Sequence, residues 1–128
     1  MKKIYLAIPY SGIEELSYKY ANYVAGMLIS EGFMVFSPIS HSHPIWDAIK
    51  DEKILQNTYD TWLTQDKAFV EWCDEVFVVE LVGEEVKNEG YGLIMKSKGV
   101  KQEIEWATEM GKPVKVIRFN IKNKTLEI

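Results

Sequence analysis

The sequence predicts an α/β sandwich in which four or five mostly parallel strands form one sheet with helices on both faces. Three observations point there. Short apolar, β-rich runs alternate with helical periodicities from one end of the chain to the other. Most of these segments are punctuated by Pro or Gly. The 128 residues contain no repeat, low-complexity tract or Pro/Ser-rich linker, so residues 1–128 read as one domain. Parallel strands joined through helices require right-handed crossovers. The expected architecture is a three-layer sandwich of flavodoxin-like or Rossmann-like type.

Each element has its own signal. Residues 3–8 (KIYLAI) are a buried strand ended by Pro9. Residues 13–30 place Leu16, Tyr20, Tyr23, Val24, Met27 and Leu28 on one helical face, and Gly32 closes that helix. Residues 33–36 are a second strand, stopped by Ser37-Pro38. Residues 39–46 (ISHSHPIW) are a loop by composition, and residues 47–57 a mostly polar helix. Residues 59–72 are a stronger helix, with Trp62, Leu63, Phe69, Val70 and Cys73 on one face. Residues 75–81 (EVFVVEL) are the third strand. Residues 82–98 form a Gly/Lys/Glu-containing segment with an apolar patch at 91–95. Residues 100–110 are a helix ended by Gly111, residues 114–119 (VKVIRF) the fourth strand and residues 125–128 a fifth.

Composition narrows the function. With 15 Lys+Arg against 19 Asp+Glu the net charge is −4, which lacks the basic footprint of a nucleic-acid binder. A single cysteine, Cys73, excludes an internal disulfide and fits a reducing compartment. No apolar run approaches a membrane span, and Pro9, Ser11 and Glu14-Glu15 interrupt the N-terminal apolar run too early for a signal peptide. A cytoplasmic protein with neither membrane nor polymer partners is expected.

Open α/β sheets bind ligands at the carboxyl ends of their strands, which directs attention to residues 9–12, 37–46 and 82–99. The first of these lacks Gly-x-Gly-x-x-Gly, which argues against a dinucleotide-binding domain. Two carboxylates break the apolar pattern. Asp66 lies at the centre of the inward face of its helix, where an unpaired charge is costly. It either caps a neighbouring backbone or faces a cleft with a role there. Glu103 lies at the edge of an apolar face, in the first turn or so of its helix, where the dipole favours an ionised carboxylate. First turns also collect Glu for that reason alone, as with Glu105. His41 and His43 form a His-x-His pair that can share a metal, but no third ligand set follows, so a substrate-contacting or loop-ordering role is favoured. Ser11-Gly12 and Ser97 with Gly99 precede helices, where free amides suit a phosphate or carboxylate, although Ser commonly serves there as a plain cap. Tyr10, Trp46, Tyr59 and Trp62 lie in or near these loops and can stack on a base or fill the core.

Taken together, the pieces resemble the nucleoside 2-deoxyribosyltransferase superfamily. Residues 3–9 (KIYLAIP) look like its N-terminal strand. Residues 66–74 (DKAFVEWCD) resemble its central helix, and residues 97–103 (SKGVKQE) the Ser-x-Gly-Val-x-x-Glu box of its 2′-deoxynucleoside 5′-phosphate N-hydrolase branch. Residues 105–113 (EWATEMGKP) continue in the same manner, and residues 36–45 (FSPISHSHPI) are similar to a phrase of an uncharacterised bacterial and phage branch. Departures are Ile8, where many relatives have Gly, a longer segment over residues 82–96, and a single arginine, Arg118, in a strand. With one arginine so placed, a phosphate would be held by backbone, Ser and Lys groups.

The resemblance implies cleavage of the N-glycosidic bond of a nucleoside or nucleoside 5′-monophosphate. Glu103 would attack C1′ or stabilise the oxocarbenium-like transition state. Asp66 would position the sugar or the proton, Ser97 would contact the 5′-phosphate, and Tyr10, Ser11 and Gly12 would close over the sugar or phosphate. No cofactor or metal is needed for that reaction. Water as acceptor makes a hydrolase, toward which the Ser97-x-Gly99-Val100 spacing points, and a second base makes a transferase. A homo-oligomer is implied by the resemblance alone. Two rivals remain: a non-catalytic nucleotide sensor that tolerates loss of Glu103, and a metal-dependent hydrolase built on His41, His43 and Asp66.

Overall fold

The first strand, β1 (Lys3–Ala7), pairs in parallel with β2 (Met34–Phe36) on one side and with β3 (Glu75–Val82) on the other. β3 pairs in parallel with β4 (Val114–Asn120), and β5 (Thr125–Glu127) adds an antiparallel edge, so the sheet runs β2-β1-β3-β4-β5. This is the strand order of flavodoxin-like folds. The computed structural model describes residues 1–52, 58–83, 94 and 96–128.

Alternation along the strands builds a core on each face. Ile4, Leu6, Phe77, Val79, Leu81, Ile117 and Phe119 face α1 (Glu14–Ser30), which supplies Tyr20, Val24 and Leu28. Tyr5, Ala7, Val76 and Val78 face the opposite way. There they meet Val70 of α3 (Tyr59–Trp72) and Val100 and Ala107 of α4 (Lys98–Glu109). The three-layer expectation holds, with both faces of β1 fully buried. Because β2 and β3 flank β1 on opposite sides, the chain changes direction across the sheet at β1/β3, where open α/β sheets form a crevice. Ser17 of α1 donates to the Pro9 carbonyl and so fixes the end of β1 at that crevice.

Several local expectations need correction. The stretch read as a loop over residues 39–46 is helical: α2 runs Pro38–Ile49. Ser37 caps it by accepting from the Ser40 amide, and Pro38 occupies the first turn, where its missing N–H is harmless. Pro44 lies inside the helix and deprives the Ser40 carbonyl of a donor. The polar helix expected over residues 47–57 is thus only the end of α2, and residues 53–57 lie outside the described residues. Of the 82–98 segment, residues 84–93 and 95 also lie outside them, while Ile94 is buried. Tyr23 is 42% exposed at the rim of the α1 face rather than within it. Gly32 takes a left-handed φ of +97° one residue beyond the α1 C-cap, Glu31. No described helix is long and apolar enough to cross a membrane.

The Gly111-Lys112-Pro113 turn has a structural task. Gly111 adopts φ +72° and reverses the chain after α4. Lys112 then sends its ammonium to the Glu71 and Cys73 carbonyls at 2.9 and 2.6 Å, satisfying the C-terminal end of α3. Lys112→Met should therefore lower the unfolding free energy by about 1–3 kcal/mol, the usual worth of hydrogen bonds to a charged group. Urea melts of the two proteins would show this, and superimposable curves would refute it.

Candidate active site

Glu103 points from the second turn of α4 toward β1 and is 9% exposed. Its carboxyl accepts a hydrogen bond from the hydroxyl of Tyr5, which is itself fully buried in mid-strand. Asp66, half-buried on α3, lies close enough to raise the proton affinity of both Glu103 and Tyr5. Its Oδ1 is buried with no hydrogen-bond partner among the described residues. Two carboxyl groups from different helices thus converge on one crevice, and both interrupt otherwise apolar surroundings.

Burial governs their charge. Desolvation pushes Glu103 up to about 8, with the Tyr5 hydrogen bond opposing and the Asp66 charge adding to the rise. Burial alone pushes Asp66 to about 6. Burial therefore disfavours the ionised Glu103 expected from its place in the helix. The helix begins at Lys98 rather than Val100, so Glu103 sits beyond the free amides of the first turn and its burial prevails. Burial first, then Glu103 and Asp66, raise Tyr5 well above the usual phenol range, so it stays a donor.

The acid pair lines a cavity of about 340 Å³ that also has Ile8, Ser11, Ser97, Lys98 and Gly99 in its wall. A second chamber of about 600 Å³ adjoins it, lined by His43, Trp46 and Ser42 among others. Tyr10, Tyr59, Trp62 and Asp66 belong to both walls. Ser97 caps α4 by accepting from the Val100 amide at 3.2 Å, and no acidic side chain occupies the first turn of that helix. No acid of that turn competes with an anion there, and Lys98 adds a positive charge.

The structure brings Tyr10, Ser11, His43, Asp66, Ser97, Gly99 and Glu103 to these cavities. It leaves out Gly12 and His41. Gly12 takes φ +87° in the turn before α1, and its amide binds the Glu14 carboxylate. The α1 N-terminus is thereby served by its own acid, which removes it as an anion site. His41 is exposed and packs against Phe36. Residues two apart on a helix do not share a face, so His41 and His43 are no ligand pair. Among the described residues no group of three His, Cys, Asp or Glu can hold a metal, and the His41/His43/Asp66 metal site has no support. Tyr5 was missing from the sequence-derived set, although a hydroxyl in a wholly apolar strand is a signal that it needs a buried partner.

Fold and crevice together define an α/β protein with a carboxylate pair beside two adjoining chambers. The chain belongs to the family described as a domain of unknown function, DUF1937, which matches residues 2–119. That family falls in the nucleoside 2-deoxyribosyltransferase-like group. Among solved structures the fold is similar to a 2-deoxyribosyltransferase from the psychrotolerant bacterium Bacillus psychrosaccharolyticus, with 22% identity and a TM-score of 0.58. The match covers 92% of this chain and 72% of that one. No curated protein matches the sequence.

Glu103 makes stability depend on pH. Unfolded, it titrates near 4.5; folded, near 8. Its burial adds no pH-dependent penalty below the lower value, where both states are protonated. Between the two values only the unfolded state releases the proton, so stability falls by about 1.4 kcal/mol per pH unit. Glu103→Gln cannot ionise and still accepts from Tyr5. Its advantage over the wild type in urea melts should grow by a few kcal/mol between about pH 5 and pH 8. A difference that stays flat across that interval would show that Glu103 is not buried protonated.

Proposed function

We propose that this chain cleaves the N-glycosidic bond of a (deoxy)nucleoside 5′-monophosphate or nucleoside and releases the free base. The observation that carries the reading is the convergence of Glu103 and Asp66 on one cavity, with Tyr5 orienting the Glu103 carboxyl. Membership of the nucleoside 2-deoxyribosyltransferase-like group and the fold shared with a 2-deoxyribosyltransferase support the same chemistry.

The two chambers suggest how a substrate lies. The sugar occupies the smaller cavity with C1′ facing Glu103. A 5′-phosphate, where present, meets the α4 N-terminus through Ser97, Lys98 and Gly99. The base enters the aromatic chamber and lies between Trp46, Tyr59 and Trp62. Asp66, common to both walls, stands where the bond between sugar and base breaks.

In the first step the Glu103 carboxylate bonds to C1′ as the C1′–N bond breaks, and the electron pair leaves on the base nitrogen. Asp66 protonates that nitrogen. Water, giving a proton to the Asp66 carboxylate, then bonds to C1′ as the C1′–Glu103 bond breaks, completing hydrolysis; a second base attacking instead and giving its proton to Asp66 yields exchange. The active form carries one proton across the pair, on Asp66; the higher proton affinity of Glu103 keeps that proton mainly on Glu103, so the reactive arrangement is the minor one of the two. Singly protonated pairs prevail between about 6 and about 8. Homo-oligomerisation, a cytoplasmic setting and the absence of a cofactor belong to the same proposal.

The test is a panel of nucleosides and their 5′-monophosphates, with and without an added free base, followed by chromatography. Base release that disappears in Glu103→Ala establishes cleavage, and release only with an added base marks a transferase. Failure of every substrate favours the nucleotide sensor, and base release that survives in Glu103→Ala removes Glu103 as the nucleophile. The rate should follow a bell with limbs near 6 and 8. Asp66→Asn should lower the rate by about 10²–10⁴ and lose the alkaline limb, because only ionisation of Glu103 then remains to be satisfied. An alkaline limb that survives in Asp66→Asn would remove Asp66 as the proton donor.

A further inference from the structure

Tyr10 lies in the wall of the aromatic chamber beside the start of α1 and reaches His43 of α2. Its hydroxyl lies 2.6 Å from His43 Nδ1. On the far side of the ring, His43 Nε2 lies 3.3 Å from the Glu15 carboxylate. Tyr18 stacks on the imidazole at 4.3 Å, and Tyr10 meets it edge-on at 5.7 Å. The ring is therefore held on both faces of its hydrogen-bonding axis, between the first loop and the first turn of α1.

This chain has a direction. A carboxylate only accepts, so the neutral His43 ring carries its hydrogen on Nε2 and turns a lone pair on Nδ1 toward Tyr10; the tautomer is assigned from this network. The other tautomer would set the Nε2 lone pair against the Glu15 oxygen. Tyr10 must then donate its hydrogen to His43. Burial, then Glu14 and Glu15, keep its phenol protonated. What remains for the chamber is a phenolic oxygen that accepts and has no hydrogen to give.

Elsewhere in the wall Ser42, Thr58 and Tyr59 carry hydroxyls that can turn either way, so the polarity fixed by the fold is that of Tyr10. Asp66 Oδ1 is a buried oxygen with no hydrogen-bond partner among the described residues, and it accepts when the carboxyl is ionised. The Trp62 indole N–H is occupied by Thr58 Oγ1 at 3.1 Å. Among the described residues no lysine or arginine lines the chamber. Acceptors facing an aromatic slot suit a flat ligand that brings its own N–H donors.

We propose that Tyr10, its hydrogen committed to His43, selects bases carrying an exocyclic amino group over their keto counterparts, with Glu15 and His43 as the positioning residues that fix this polarity. A keto oxygen in the same place would face the Tyr10 oxygen lone pair to lone pair. The inference rests on the glycosidic-cleavage reading for the placement of the base, but its readout is binding and does not need turnover.

The experiment uses Glu103→Gln to prevent reaction. Calorimetry compares 2′-deoxyadenosine 5′-monophosphate with 2′-deoxyinosine 5′-monophosphate in that background alone, with Glu15→Gln added, and with His43→Phe added. Glu15 is exposed, so its replacement leaves the fold intact, and the amide can donate or accept, which releases the tautomer. His43→Phe keeps a ring on Tyr18 and frees the Tyr10 hydrogen. About a tenfold preference for the adenine nucleotide is expected in the first protein, falling toward parity in the other two. Nitrogen NMR should show the Nε2–H tautomer of His43, altered by Glu15→Gln. Equal binding, preference for the inosine nucleotide, or a preference that survives both changes would overturn the inference. Turnover of both nucleotides without preference would overturn it while leaving cleavage established, and no binding of either would overturn the placement of the base as well.

Discussion

The hydrogen bond from Tyr5 to Glu103 ties the chemistry of this protein to the middle of its sheet. β1 is buried on both faces because β2 and β3 flank it and helices cover it above and below. Tyr5 can occupy such a strand only if its hydroxyl has a partner. That partner comes from α4, the helix that follows β3, and the crossover from β3 through α4 to β4 is what brings it over β1. Each group solves the other's problem of burial. A change in strand order or in the start of α4 would leave a phenol and a carboxyl stranded in apolar surroundings.

The same contact sorts the remaining polar groups. Asp66 lies near enough to sense Glu103 yet has an oxygen without a partner among the described residues, and it stands at the wall shared by both chambers. A buried acceptor left open in this way costs stability, of order 1–3 kcal/mol for a typical group. Such a cost persists in a fold when a ligand satisfies it. By contrast, the carboxylates of Glu14 and Glu15 at the start of α1 are already engaged, one with Gly12 and the other with His43. The α1 start is thus occupied by its own Glu14, whereas the first turn of α4 holds no acid.

Much of this was legible in the chain because amphipathic periods and strand runs are local. The strands, α1, α3 and α4 follow from them directly, and Asp66 and Glu103 stand out because each interrupts an apolar stripe. α2 did not, since Ser-His-Ser-His-Pro has the composition of a loop. Its helix is held by the Ser37 cap and by tertiary contacts of His43 with Tyr10 and Tyr18, which no local window contains. The charge of Glu103 was misjudged for a similar reason. A start two residues earlier moves it from the dipole's reach into the core, and only the packed structure decides between those environments. Gly12 and Gly99 look equivalent in sequence, yet the acid at Glu14 separates their fates.

The raised proton affinity of Glu103 bears on how the proposed reaction would be accelerated. In the empty crevice the carboxylate is disfavoured by burial, so a neutral ground state gains little from it. As the glycosidic bond lengthens, positive charge grows on the sugar ring directly before that carboxylate. The same low dielectric that penalises an isolated anion strengthens its attraction to a cation. The interaction is then stronger in the transition state than in the bound substrate, which is the condition for raising the rate of the chemical step rather than merely tightening binding. The instability that Glu103 brings to the folded protein as pH rises, and the stabilisation it would offer an oxocarbenium-like sugar, are two expressions of one burial.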